Sequence, residues 1–315
     1  SGASRTITQD MPRIGSVDFT GSSGLTWTTS TICSCFGSIN LTDLETLTAS
    51  TQGYTFEGRG NYTLTSAGKT WAKVFSLNAP GGVLTLQDSL TSGITQFTFA
   101  NGEFNANSQV VSVGNIIVSA GGTGGNGTFN LSKVTGQVWG CNASGTVLSN
   151  TNIKFVDTSD GNTTFDGGGK TYNNVWFSRG ASTGTITITG SNTFNNFKDD
   201  GSEAHSLIFT AGTTQTVNTW TVSGTAGKLI TLDSTTTGTF ILTRAGTATI
   251  SSDYLNIQHS IAQPLNVWYA GVNSTNNQTT ATAGSGWVFS APPSASTIRT
   301  NRGRDRFKFT AVSLG

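Results

Sequence analysis

The sequence predicts an all-β chain wound as a right-handed parallel β-helix, a solenoid with coils of about 22 residues. Three observations carry that expectation. One phrase recurs three times at a near-constant interval, as Thr171-Tyr172-Asn173-Asn174-Val175, Thr193-Phe194-Asn195-Asn196-Phe197 and Thr216-Val217-Asn218-Thr219-Trp220. A second phrase keeps step with it: Ile186, Ile208 and Ile230 are evenly spaced at the same interval, each in a run of apolar and β-branched residues. A longer echo links two distant stretches, with Gly60-Asn61-Tyr62-Thr63 and Gly68-Lys69-Thr70-Trp71 returning as Gly161-Asn162-Thr163-Thr164 and Gly169-Lys170-Thr171-Tyr172. The echo continues into Val74-Phe75 and Val175-Trp176, and it points to repeated coil architecture by internal duplication.

Composition supports order without much charge. Charged residues are 10% of the 315, against about a quarter in typical globular proteins. A chain with few charges and many Ser, Thr, Asn and Gly residues can be disordered, but disordered chains also lack aromatics. Here 18 Phe and 7 Trp recur at regular intervals, so a β-rich core is expected. The formal net charge of +1 gives no strong field for nucleic acid or an anionic membrane. No apolar run approaches the ~18 residues that would span a bilayer, and Ser1 is not followed by a basic-then-apolar segment of the secretory type. Cys33, Cys35 and Cys141 are too few and too oddly spaced for a disulfide framework or a four-ligand zinc site, and buried free thiols are expected.

In chain order, residues 1–20 read as a flexible or docking segment. Residues 21–59, with Leu25-Thr26-Trp27-Thr28 and Ile39-Asn40-Leu41, read as an N-terminal β cap over the first coil. The helix proper is placed at 60–262, with strands at Val83–Leu86, Phe97–Phe99, Val110–Val113 and Ile116–Val118, each bounded by turn residues. The glycine run from Gly121 to Gly127 is expected to be a turn or loop. Residues 263–293 read as a closing cap in which Trp268 and Trp287 cover the last coil. The tail 294–315 gathers Arg299, Arg302, Arg304, Arg306 and Lys308, either a solvated tail or a docking arm for an acidic partner surface or a neighbouring subunit. No segment carries a helical period.

Chemistry is sparse. Gly167-Gly168-Gly169-Lys170-Thr171 and Gly68-Lys69-Thr70 imitate the end of a phosphate-binding loop. Thr164 and Thr63 occupy the place of its first glycine, and no helix follows, so both read as coil turns. The run Gly121–Phe129 is similar to calcium-binding nonapeptide repeats but lacks the ligating Asp. Carboxylates matter most, because glycan-cleaving β-helices work with paired Asp and Glu. The one cluster is Asp199, Asp200 and Glu203 with His205 nearby; these residues could line a catalytic groove, or they could form a polar turn between strands. His259 has no near carboxylate in sequence beyond Asp253 and reads as structural. The Asn-x-Ser/Thr sites at Asn61, Asn126, Asn130 and Asn142 are expected by chance in this composition. Aromatic and Asn/Thr ladders on a β-helix flank could instead contact a glycan, although large apolar residues at coil period belong first to the core. No cofactor or metal is expected.

The Thr-Phe-Asn-Asn-Phe coils, Ala211-Gly212-Thr213-Thr214-Gln215-Thr216-Val217, Asp253-Tyr254-Leu255-Asn256-Ile257 and Trp268-Tyr269-Ala270-Gly271 with Asn273-Ser274 and Gly286-Trp287 carry a resemblance. Over residues 60–290 the chain resembles the β-helical structural proteins of tailed bacteriophages. The resemblance implies a non-enzymatic virion component: a tail fibre, tailspike, head fibre or capsid decoration. Such a component sits on the particle surface, is often a homotrimer, contacts other virion proteins and serves host attachment, in some cases through a surface glycan. It transfers no catalytic residues. The alternatives are a tailspike-like polysaccharide depolymerase and a bacterial surface adhesin.

Overall fold

The computed structural model describes residues 5–48, 53–71, 74–91, 95–107, 109–118, 122–124, 127–132, 136–141, 146–277 and 285–293. The tail residues Arg299, Arg302, Arg304, Arg306 and Lys308 lie outside the described residues. Among the described residues there is no helix, and every pairing between strands is parallel. The chain winds as a β-solenoid of about 11 turns, with consecutive turns about 22 residues apart. At the ~4.8 Å spacing of paired strands, this stack is on the order of 50 Å long.

One sheet runs nearly the whole length, from Arg13–Ile14 through Cys33–Cys35, Tyr54–Phe56, Thr163–Asp166 and His205–Phe209 to Thr275–Asn276. A nine-stranded sheet forms another face, from Leu90–Thr91 to Ser260–Gln263. In the first half Val74–Leu86 and Gln96–Asn105 each turn a corner, pairing with different strands on either side of a register shift. Three-stranded sheets complete the two ends.

The recurring phrase becomes strand, corner, strand. Thr171 pairs with Thr193 and then Thr216, Tyr172 with Phe194 and Val217, and Val175 with Phe197 and Trp220. Tyr172 and Val175 face inward, while the two asparagines between them both face outward. Two successive outward residues break the alternation expected of a flat strand and mark the corner. The core is a continuous aromatic stack: Phe197 lies 4.8 Å from Trp220 and nearly parallel to it, and Trp220, Trp268 and Trp287 continue edge-to-face at 6.0 and 5.5 Å. Each buried aromatic side chain contributes roughly 1.5–3 kcal/mol by leaving water. Cys33, Cys35 and Cys141 are buried free thiols.

Several expectations change on folding. Ile186 pairs with Leu207 and Leu207 with Leu232, so Ile208 lies one place out of step and faces outward. A single-residue slip reverses the face of a strand side chain, and the buried ladder takes the flanking Leu207 and Phe209 instead. The longer echo keeps its place in the coil through the turn: Asn61–Thr65 and Thr163–Asp166 lie in the same long sheet with Leu64 and Phe165 both buried, and Trp71 and Tyr172 are both buried after it. Ala67 and Gly68 have φ of 48° and 69°, and Gly168 and Gly169 have 57° and 68°. Both pairs form the two-residue turn with positive φ at each centre, closed by Lys69 N–H to Ser66 O at 2.9 Å and by Lys170 N–H to Gly167 O at 3.2 Å. Beyond the turns Val74 is exposed and Phe75 buried, whereas Val175 is buried and Trp176 half-exposed.

Gly122–Gly124, expected as loop, is a strand paired with Gly102–Phe104. The neighbouring coil supplies backbone partners that outweigh weak strand propensity. Coil structure also begins early. Arg5–Gln9 pairs in parallel with Leu25–Thr29, placing Ile7 over Trp27, and strands within 21–59 stack in the same sense on those that follow.

Candidate functional site

The Asp199–His205 corner forms where Thr193–Asp199 ends and His205–Phe209 begins. Asp199 falls on the inward phase after Phe197 and pairs with Phe177 and Val222 in the adjacent coils. A carboxylate facing a core is tolerated only with full hydrogen bonding. Its Oδ2 meets His205 Nε2 at 2.7 Å, and its Oδ1 accepts the Gly201 N–H at 2.9 Å. His205 Nδ1 lies 2.8 Å from the Glu203 carbonyl, so it donates there. Both ring nitrogens face acceptors, which favours the imidazolium. Burial, the largest single influence, lowers the His205 pKa, but the Asp199 hydrogen bond and charge and the Glu203 carbonyl together raise it above the ordinary value.

The four sequence-predicted residues do not converge. The Asp199 and His205 side chains are 1% and 3% exposed, sealed from any substrate. Asp200 points outward and pairs with Lys198 at 3.1 Å, and Glu203 pairs with Lys228. The corner thus holds a buried ion pair with two surface ion pairs beside it. Gly201 packs directly on the imidazole, where an added Cβ would stand 2.5 Å from Cε1. Gly201→Ala is expected to push His205 off Asp199 and lower stability by roughly 1–3 kcal/mol. A urea midpoint unchanged from wild type would show that the ring has room to move.

Sequence reasoning missed Arg179, which is buried beside this corner. Its guanidinium donates to the carbonyls of Asp157, Ser159, Gly161 and Gly184 at 2.7 to 3.2 Å, tying two coils together. No spacing announces it; the signal is a lone Arg in the turn that follows a core strand. His259 also gains a carboxylate that proximity in sequence does not show. Stacking brings Asp233 Oδ1, from an earlier coil, to 2.7 Å from Nδ1. The two glycine-lysine turns carry no phosphate-loop architecture: both are tight turns between strands.

The outward face of the nine-stranded sheet holds a groove of about 480 Å³, lined chiefly by Asn130, Asn152, Lys154, Asn174, Trp176, Asn196 and Lys198. Strand register builds it as two columns. Asn152, Asn174 and Asn196 lie side by side in one, and Asn130, Lys154, Trp176 and Lys198 in the other. Within the first column Asn174 Nδ2 donates to Asn152 Oδ1 and Asn196 Nδ2 to Asn174 Oδ1, each at 2.5 Å. A parallel column at the corner joins Asn195 to Asn173 at 2.9 Å and Asn218 to Asn195 at 3.1 Å. In the second column the Trp176 ring lies between two ammonium groups, Lys154 Nζ at 3.8 Å and Lys198 Nζ at 4.0 Å from its centroid. Each such contact at an exposed site contributes ~0.5–1 kcal/mol and holds a flexible lysine in place.

The sequence shows the Asn-Asn phrase and the aromatic ladder, but the lysines enter the groove only through register. Comparison with protein-family models, with characterised proteins and with solved structures finds no match for the chain.

Proposed function

We propose that the chain is a non-enzymatic structural and attachment component of a bacteriophage particle, a fibre, spike or capsid decoration, that presents a rigid solenoid flank to a glycan on the host surface. The observation that carries this reading is the coil stack itself: about 11 turns in one parallel register around an unbroken aromatic core. Each coil contacts only its neighbours, so the stack forms a stiff presenter with long, regular flanks. Asn, Lys and Trp columns on one flank supply the hydrogen-bonding and aromatic chemistry of sugar recognition. The buried Asp199–His205 pair accounts for the one carboxylate cluster without assigning it a reaction. The basic tail and a homotrimeric assembly belong to the same proposal as its means of docking.

Particles purified from the producing culture test it. Mass spectrometry is expected to find this chain's peptides at a fixed ratio to the major capsid protein, in a multiple of three per attachment point. Purified particles free of those peptides would refute the virion assignment.

A further inference from the structure

Resting on the glycan-attachment reading, we infer that the groove between Asn152–Asn174–Asn196 and Lys154–Trp176–Lys198 binds an acidic polysaccharide, with the two ammonium groups as its anion contacts. Lys154 and Lys198 are two coils apart, about 10 Å along the rod, and the indole between them fixes both. Lys198 shares its charge with Asp200 at 3.1 Å, while Lys154 has no carboxylate within ion-pair distance among the described residues. The groove therefore keeps a net positive charge, concentrated on Lys154.

The amide column supplies the remaining contacts. Asn174 uses one N–H on Asn152 and one lone pair on Asn196, which leaves it one donor and one acceptor for the solvent side. A column of such groups, repeating at the strand spacing, suits an extended chain of hydroxyls. The columns and the groove run along the rod, so the ligand would lie across several coils.

Two other polymers fit less well. An extended peptide adds to a sheet through free main-chain groups, but Thr151–Phe155, Thr171–Phe177 and Thr193–Asp199 are interior strands with both edges paired. Nucleic acid binding draws on many phosphate contacts, and this groove offers two cations beside one carboxylate.

The test is binding of the full chain to immobilised polygalacturonate, dextran sulfate and neutral dextran, with duplex DNA as a further arm. Wild type is expected to bind one or both acidic polymers, to weaken as salt rises, and to ignore neutral dextran. The double variant Lys154→Gln with Lys198→Gln should bind at least tenfold more weakly. Asp200→Asn removes the competing carboxylate and should bind two- to fivefold more tightly. Lys69→Gln, in a turn of a distant coil, should bind as wild type and controls for general charge.

Equal binding by the double variant, stronger binding to DNA, or no binding to either acidic polymer overturns the inference. Binding to neutral dextran alone overturns the acidic assignment but leaves glycan attachment standing. Weaker binding by Asp200→Asn overturns the role of Asp200 as a competing charge, and sugar release that Asp200→Asn abolishes would instead support a depolymerase. Particle composition decides the virion assignment separately, so either proposal can fail alone.

Discussion

Phe197→Ala is expected to lower the free energy of unfolding by about 3–5 kcal/mol, the range for removing a buried aromatic ring. Phe197 is fully buried and closes the second of the three recurring phrases. Its ring stands 4.8 Å from Trp220, 5.2 Å from Phe194 and 5.5 Å from Phe177, so truncation opens a void contacting three successive coils. Those neighbours are held in register by their own strands and cannot collapse freely into the space. Because coils couple only to their neighbours, hydrogen exchange should show the loss first in Thr171–Phe177, Thr193–Asp199 and Thr214–Val222. Chemical denaturation measures the total; a loss below about 1 kcal/mol would mean the core repacks, contrary to this geometry.

The second large effect is at Asp199. Asp199→Asn leaves the buried His205 imidazolium without its counter-charge, and breaking a buried pair by removing one partner costs about 3–5 kcal/mol. The loss should depend on pH. The raised His205 pKa means that protonation favours the fold: this contribution is complete below the ordinary histidine value of about 6.5 and fades as pH rises through the higher folded value. In the variant a neutral imidazole can still donate to the Glu203 carbonyl and accept from the new amide. Unfolding in urea should therefore separate Asp199→Asn from wild type most at pH 5–6, with the gap narrowing toward pH 9. A gap constant across that range would show that His205 does not titrate there and would overturn the pH dependence.

Much of the fold is legible in the chain. A regular interval between Thr-Φ-Asn-Asn-Φ phrases requires a repeating supersecondary unit, and the phrases pair residue for residue in the structure. The isoleucine phrase misleads because the loops between coils differ in length. The interval from Ile186 to Leu207 is shorter than the one from Leu207 to Leu232, so equal spacing in sequence selects the outward Ile208. The longer echo holds through the strand, the turn and the buried aromatic that follows, Trp71 or Tyr172, and loses step only beyond it, where Val74 is exposed and Val175 buried. Glycine-rich residues 122–124 read as loop because propensity is local, while their backbone partners come from the preceding coil.

The groove illustrates the same limit. Lys154 and Lys198 are unremarkable surface lysines in sequence, with nothing in the chain between them to join the two. They become a pair only because each lies one coil from Trp176. The carboxylate cluster shows the reverse. Asp199 and Asp200 are adjacent in sequence, and that adjacency sends one into the core and the other into water. Sequence neighbours on a strand are the residues least able to share a site.

The parallel pairing described above also sets how the molecule bears force. Its inter-coil hydrogen bonds point along the rod, and the chain enters at one end and leaves near the other. Tension between the ends loads the bonds of one coil at a time, so the rod should yield in steps, each releasing the slack of a single coil. A sideways push is resisted by every coil it touches at once. A rod of this kind is rigid against lateral blows and gives gradually under axial pull.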